Sequence, residues 1–388
     1  MQDYWHLTWE RIGDALSSGE KRQALFDIWL NRDYQRYAEV YENEYLTLEN
    51  WLPSEKMKFY IRKDIAAQMW DTTSGEVFSF EFEEDPYKSA LESKQPDYFI
   101  GRSGSAAGDL SAPRGLDIAL DGSIFVADSL NHRIQQFSPS GEIINTWGSY
   151  ANILEGDAPG GTFHEPWDVA VSADGFVYVA DTFNHRIQKF TLSGRFLKSW
   201  GVFAQGNEPD SFWGPRGIAI SPDGKIFITD TGNKRVVVFD DDLNYITQFG
   251  GAGYEAGQFD EPVGITIDQT GKVYIADTWN RRVQIFEESS DEATFNQIGK
   301  FNVDGWYGQS IENKPYISIH PSGSIFISDP ETGRILEFSE TGEIIHGWQD
   351  LAVSDDLLSN PYGMVFDANG NLWVADGLGN MLLRFDFP

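Results

Sequence analysis

Residues 124–137 read IFVADSLNHRIQQF and residues 177–190 read VYVADTFNHRIQKF. In each stretch an apolar run ends in Asp, then comes Asn-His-Arg, a second apolar run and a closing Phe. The same frame recurs along the chain. The Asp falls at Asp128, Asp181, Asp230, Asp277, Asp329 and Asp376, at spacings of 53, 49, 47, 52 and 47 residues. Nine residues after each Asp stands Phe137, Phe190, Phe239, Phe286, Phe338 or Phe385. Five residues after it stands Arg133, Arg186, Arg235, Arg282 or Arg334, with Met381 in the last copy. Repeats of this length are units that bury their apolar faces only against neighbours.

The short strands of each unit are joined by x-Gly pairs (Asp121-Gly122, Asp174-Gly175, Asp223-Gly224, Thr270-Gly271, Ser322-Gly323, Asn369-Gly370), which suit tight hairpins. Runs such as Ile124–Ala127 are apolar at every position, as in a sheet covered on both faces. The expected fold is mainly β: a six-bladed propeller over residues 96–388, with an α-rich N-terminal region over residues 1–95. Three of the 38 glycines (Gly13, Gly19, Gly75) precede residue 96, which marks the change of composition. In residues 3–17 and 20–32 the apolar residues recur at helical spacing. The last repeat stops after its third strand, whereas Tyr98-Phe99-Ile100-Gly101 precedes the first repeat as Thr146-Trp147-Gly148 precedes the second. Residues 97–101 are therefore expected to complete the sixth blade and close the ring.

The Asp-x-x-Asn-His-Arg copies resemble the NHL repeat, and the resemblance covers residues 97–388. It implies a six-bladed propeller of a family that includes extracytoplasmic sensor and ligand-binding domains, RNA-binding domains and a few metal-dependent enzymes. Residues 20–37 (EKRQALFDIWLNRDYQRY) and 55–70 (EKMKFYIRKDIAAQMW) resemble the soluble stretch after the last membrane helix of predicted prokaryotic membrane glycosyltransferases of the dolichyl-phosphate-mannose mannosyltransferase type. That likeness implies that the chain is the soluble C-terminal part of such a protein, at the extracytoplasmic face of the membrane. Any transferase activity would then reside in segments absent from this chain.

Composition narrows the function. The chain carries 29 Lys and Arg against 60 Asp and Glu, a formal charge of −31, with a surplus of carboxylates both before and after residue 96. Nucleic-acid binding needs a cationic face, so the RNA-binding branch is not expected. With no cysteine, thiol chemistry and disulfides are excluded. There is no apolar run of membrane-spanning length, no nucleophile elbow, no P-loop and no His-Glu-x-x-His.

The motif residues Asp128/Arg133, Asp181/Arg186, Asp230/Arg235, Asp277/Arg282, Asp329/Arg334 and Asp376 recur too regularly to form one active site. They read as structural: the Asp closing its turn, the Arg bridging to a neighbouring blade. His132 and His185 share one slot of the repeat and get the same reading. Positions that vary between blades are better site candidates. Arg114, Trp167, Arg216, Tyr316 and Tyr362 follow the repeat's Pro at the expected channel mouth, with Asp168, His164, Trp213 and Trp279 beside them. Guanidinium groups among aromatic plates suit a sugar or an anionic ligand, and the mouth is expected to hold a glycan, a peptide or a partner's loop. No catalytic residue, metal site or cofactor is expected, Ca²⁺ being the one ion the carboxylates invite. The expected molecule is a monomeric binding or scaffold propeller. The alternative is a metal-dependent lyase or hydrolase using Asp117, Asp168 and His320 of the inner strands.

Overall fold

A computed structural model describes residues 85–289, 294–306, 314–353 and 359–387. The α-rich region expected over residues 1–95 lies outside the described residues up to residue 84. The compact unit that carries the repeats begins at Asp85.

Six meander sheets follow one another along the chain. The first blade comprises Pro113–Ile118, Ile124–Asp128, Arg133–Phe137 and Ile143–Trp147, each strand antiparallel to the next. The second to fifth blades repeat this order, beginning at Pro166, Pro215, Pro262 and Ile317. The sixth supplies Pro361–Phe366, Leu372–Asp376 and Met381–Phe385, and its outer strand is Tyr98–Ile100, antiparallel to Met381–Phe385. A strand from before the first repeat thus joins the sheet that ends the chain, which ties the two ends of the ring together.

Burial accounts for the sequence pattern. The second strand of each blade, Ile124–Asp128 for example, is buried along its length, with Phe176 at the start of Phe176–Asp181 the one partly exposed position. Both faces of the sheet meet a neighbouring blade there, so alternation is lost. Outer strands are more exposed, and Phe196–Trp200 and Phe295–Asn302 alternate. Each seam has its own apolar cluster. Phe125 and Ala127 pack on Val169 and Val179 between the first two blades. Tyr178 and Ile187 pack on Ile218 and Ile228 at the next seam, and Trp373 and Leu382 meet Leu116 and Val126 where the sixth blade returns to the first.

The inner strands approach one another at a glycine. A Cβ on Gly217 would lie 2.2 Å from the Val263 carbonyl oxygen, and one on Gly363 would lie 2.5 Å from that of Arg114. In the four blades that carry Gly after Pro-x (Gly115, Gly217, Gly264 and Gly363) the neighbouring strand leaves no room for a Cβ, whereas Asp168 and Ile317 hold this place in the second and fifth blades.

One expectation is corrected. Residues 85–95, assigned to the α-rich region, belong to the propeller. A 3-10 turn at Lys88–Ala90 leads into Leu91–Ser93, which adds a fifth, parallel strand beside Ile344–Gln349 of the fifth blade. Tyr87 is buried in the seam between the fourth and fifth blades with Trp306 and Phe338. A single buried aromatic in a charged stretch carries no periodicity, so the segment reads as a loop. Among the described residues, no helix is long and apolar enough to cross a membrane.

Candidate functional site

The repeat motif forms a clamp inside each blade. Asp181 accepts the His164 backbone N–H at 2.7 Å, the Asn184 side-chain amide at 3.0 Å and the Arg186 Nε at 2.7 Å. The remaining guanidinium N–H groups of Arg186 donate to the Ala158, Pro159 and Thr162 carbonyls. Those carbonyls lie in the loop leading into Arg186's own blade, so the expected bridge to a neighbouring blade is corrected. Arg133 and Arg282 are bound in the same way.

In the fifth blade an Asp from the N-terminal segment takes over part of this pattern. Arg334 Nε donates to Asp329 at 2.9 Å, while its NH1 meets the Asp85 carboxylate at 2.5 Å.

The contact to the next blade comes from the residue before the Arg, which adopts a positive φ in His132, His185 and Lys234. His132 Nδ1 accepts the Glu165 N–H at 3.1 Å, and His185 Nδ1 accepts the Gly214 N–H at 3.0 Å. An accepting Nδ1 requires a neutral ring. Burial and, less strongly, His164 push the His185 pKa down to about 4. At the third blade Lys234 holds this slot and reaches the Glu261 carboxylate at 2.7 Å.

Five of the expected mouth residues come together at the channel. The Arg114 guanidinium lies 3.7 Å from the Trp167 ring centre and 4.9 Å from that of Tyr362, and the Arg216 guanidinium lies 4.2 Å from the Trp167 ring. The indole is thus in cation–π contact with two guanidinium groups. Tyr316, from the fifth blade, donates its hydroxyl to the Trp167 carbonyl of the second at 2.9 Å. In a ring of six these blades face each other, so Tyr316 crosses the axis. Trp167 is only 1% exposed, and Arg114, Arg216, Tyr316 and Tyr362 are also buried. This constellation plugs the channel.

Asp168 and Asp117 lie on the inner strands of the second and first blades. Asp168 accepts the Val169 N–H on one oxygen and the Ile218 N–H of the third blade on the other. Asp117 does the same with Ile118 and with Val171 of the second blade. Burial pushes the Asp168 carboxyl well above the usual carboxylate range and that of Asp117 up to about 6.

The other three expected residues lie on the rim. Trp213 is 41% and Trp279 44% exposed. The His164 ring meets Phe183 at a tilt and Tyr150 edge-on, each with ring centres 5.3 Å apart. Tyr150, Phe203 and Tyr254 are exposed on the loops between blades. One cluster was not singled out from sequence: Lys234, Lys314 and Glu261 next to Trp279. Lys234 was findable, because it replaces the His of the first two copies. Lys314 carries no such signal.

Residues and geometry together define a six-bladed β-propeller that carries NHL repeats in its second, third and fourth blades. The NHL repeat family matches residues 163–190, 212–239 and 259–286. The chain is 32% identical over 88 residues to NHL repeat-containing protein 2 of Bos taurus, covering 22% of this chain and 12% of that protein. It is 33% identical over 102 residues to the peptidyl-glycine alpha-amidating monooxygenase of Mus musculus, covering 25% of this chain and 10% of the relative. It thus spans about a tenth of the length of these curated relatives. A gluconolactonase from Xanthomonas campestris superposes with a TM-score of 0.52 at 13% identity, covering 76% of this chain and 96% of that one. A catalytically inactive virginiamycin B lyase from Staphylococcus aureus superposes with a TM-score of 0.50 at 14% identity, covering 73% and 82%. At these identities the structures share the fold.

The metal expected of the enzyme alternative does not fit the residues named for it. All four carboxylate oxygens of Asp117 and Asp168 hold backbone N–H groups. His320 bonds to Ser322 within a hairpin turn. Among the described residues, no three His, Cys, Asp or Glu side chains converge as a metal donor set.

Proposed function

We propose that this chain is a non-enzymatic binding or scaffold propeller that receives a glycan, a peptide or a partner's loop on its loop face. The observation that carries the reading is the division of the aromatic residues. Trp167, Tyr316 and Tyr362 are spent in plugging the axis, while Trp213 and Trp279 stay exposed on the rim. Exposed indoles stack on sugar faces and anchor protein contacts, and their hydration is costly unless something covers them. The axial carboxylates act as bridges between blades. A plugged axis leaves the rim as the surface for recognition.

The ratio of 29 cationic to 60 acidic residues favours partners other than nucleic acid. Placement outside the cytoplasm, attached to a membrane glycosyltransferase-like protein, rests on the resemblance of residues 20–37 and 55–70. The test is a glycan and peptide array probed with the parent protein and with Trp213→Ala. Binding that falls in the variant supports the reading; the absence of any binding by the parent leaves a pure scaffold.

A second reading, a metal-dependent lyase or hydrolase, draws on the amidating and lyase names of proteins that share this repeat or fold. Metal analysis of the purified protein separates the two: stoichiometric Ca²⁺ or Zn²⁺ would favour the enzyme.

A further inference from the structure

The rim between the third, fourth and fifth blades gathers charge in an unusual balance. Glu261 lies 2.7 Å from Lys234 Nζ, 3.4 Å from Arg216 NH1 and 3.8 Å from Lys314 Nζ. Asp260 adds a second carboxylate, 2.9 Å from Lys234. Among the described residues, and with Lys314 protonated, three cations thus face two carboxylates on a chain whose net charge is −31. Lys314 stands out within the group. It is 0% exposed, its Nζ has no hydrogen-bond partner, and its nearest ion-pair oxygen is the Glu261 oxygen at 3.8 Å. A buried ammonium with three unused N–H donors is costly. Burial brings its pKa down to about 7 against the opposing pull of Glu261. The Trp279 indole covers the cluster, 4.6 Å from Lys314 Nζ and 5.2 Å from Lys234 Nζ, and is itself 44% exposed.

We propose that Lys314, Lys234 and Arg216, gathered round Glu261 beneath the Trp279 indole, form a binding site for the carboxylate of a small monoanionic ligand. The proposal rests on the reading of the loop face as a binding surface and names the chemistry of one part of it. The ligand carboxylate supplies the one missing negative charge and accepts the N–H groups that Lys314 leaves unused, in charge-assisted hydrogen bonds. A dianion such as phosphate would overfill the site and meet repulsion from Glu261 and Asp260. Trp279 touches both ammonium groups and reaches solvent, so rotation of the indole opens the way to Lys314. Its face then covers the body of the ligand, as an aromatic plate covers a pyranose ring or an aliphatic chain.

The test is calorimetric titration at pH 7 with sodium acetate, sodium glucuronate, glucose and inorganic phosphate. Both carboxylates are expected to bind the parent protein more tightly than glucose and phosphate do. Lys314→Met, which keeps the length and apolar stem, is expected to weaken the carboxylates about tenfold or more. Should that variant fail to fold, Lys234→Gln reads the same loss. Tyr150→Ala, on the loop between the first and second blades, leaves carboxylate binding unchanged. Affinities for both carboxylates weaker than about 10 mM in the parent, or a cation variant that binds them as the parent does, would overturn the proposal. Array binding that depends on Trp213 without carboxylate binding removes this site alone; neither kind of binding removes the surface reading as well.

Discussion

At the scale of single residues, recurrence and divergence of the motif carry different information. The Asp/Arg pair is the most regular feature of the sequence, and it proves to be a buried clamp. Asp277 accepts the Arg282 Nε at 2.7 Å with its carboxylate fully buried. Replacing Arg282 by Met leaves that carboxylate unpaired in the interior, and a loss of about 3–5 kcal/mol is expected in chemical denaturation. The slot before the Arg gives a pH prediction. Folding depresses the His185 pKa from 6.5 to about 4, so below pH 6.5 the unfolded chain takes up a proton that the folded chain refuses. The stability held by this contact is present above pH 6.5 and is lost as the pH falls toward 4. Asp117 works in the opposite sense, because its carboxyl is raised to about 6: its contribution is present at low pH and fades as the pH rises through 6. Comparing the parent with His185→Gln, which keeps an acceptor for the Gly214 N–H, separates the two. The variant is expected to show a flatter loss of melting temperature between pH 6.5 and 4; parallel curves would count against the neutral-histidine contact.

At the scale of elements, the strand frame was legible because each unit repeats its Pro, Asp and Phe. The closing strand was legible by comparing Tyr98–Gly101 with Thr146–Gly148. Removal of residues 96–102 exposes the open edge of Met381–Phe385, so a sharp drop in melting temperature is expected, and a deletion that melts like the parent would contradict the latch. The strand Leu91–Ser93 was not legible, for it has three residues and an exposed pattern and depends on a distant edge to exist. Tyr87 and Asp85 anchor it. Asp85→Asn removes the charge that meets Arg334 but leaves the Asp329 contact, so a small loss is expected beside that of Arg334→Met. Gly217→Ala sets a methyl 2.2 Å from the Val263 carbonyl oxygen and is expected to destabilise the ring far more than Gly156→Ala, whose Cβ meets no neighbouring atom.

For the molecule as a whole, the sequence revealed a ring, a mouth and the residues near it, but not which of those residues face water. Trp167 and Trp213 both read as aromatic plates at the mouth. The tertiary structure buries the first between two guanidinium groups and leaves the second on the rim, because Arg114, Arg216 and Tyr316 of three other blades converge on Trp167. Lys314 escaped notice for the same reason, since its partners come from the third and fourth blades. The central claim is that the rim, not the axis, is the recognition surface. The most direct test is array binding measured in parallel on the parent protein and on a Trp213→Ala/Trp279→Ala double variant of unchanged melting temperature. The account predicts that the parent binds and that the double variant loses about tenfold or more in affinity, as removal of stacked aromatic anchors does. Parent-like binding by the double variant would contradict it.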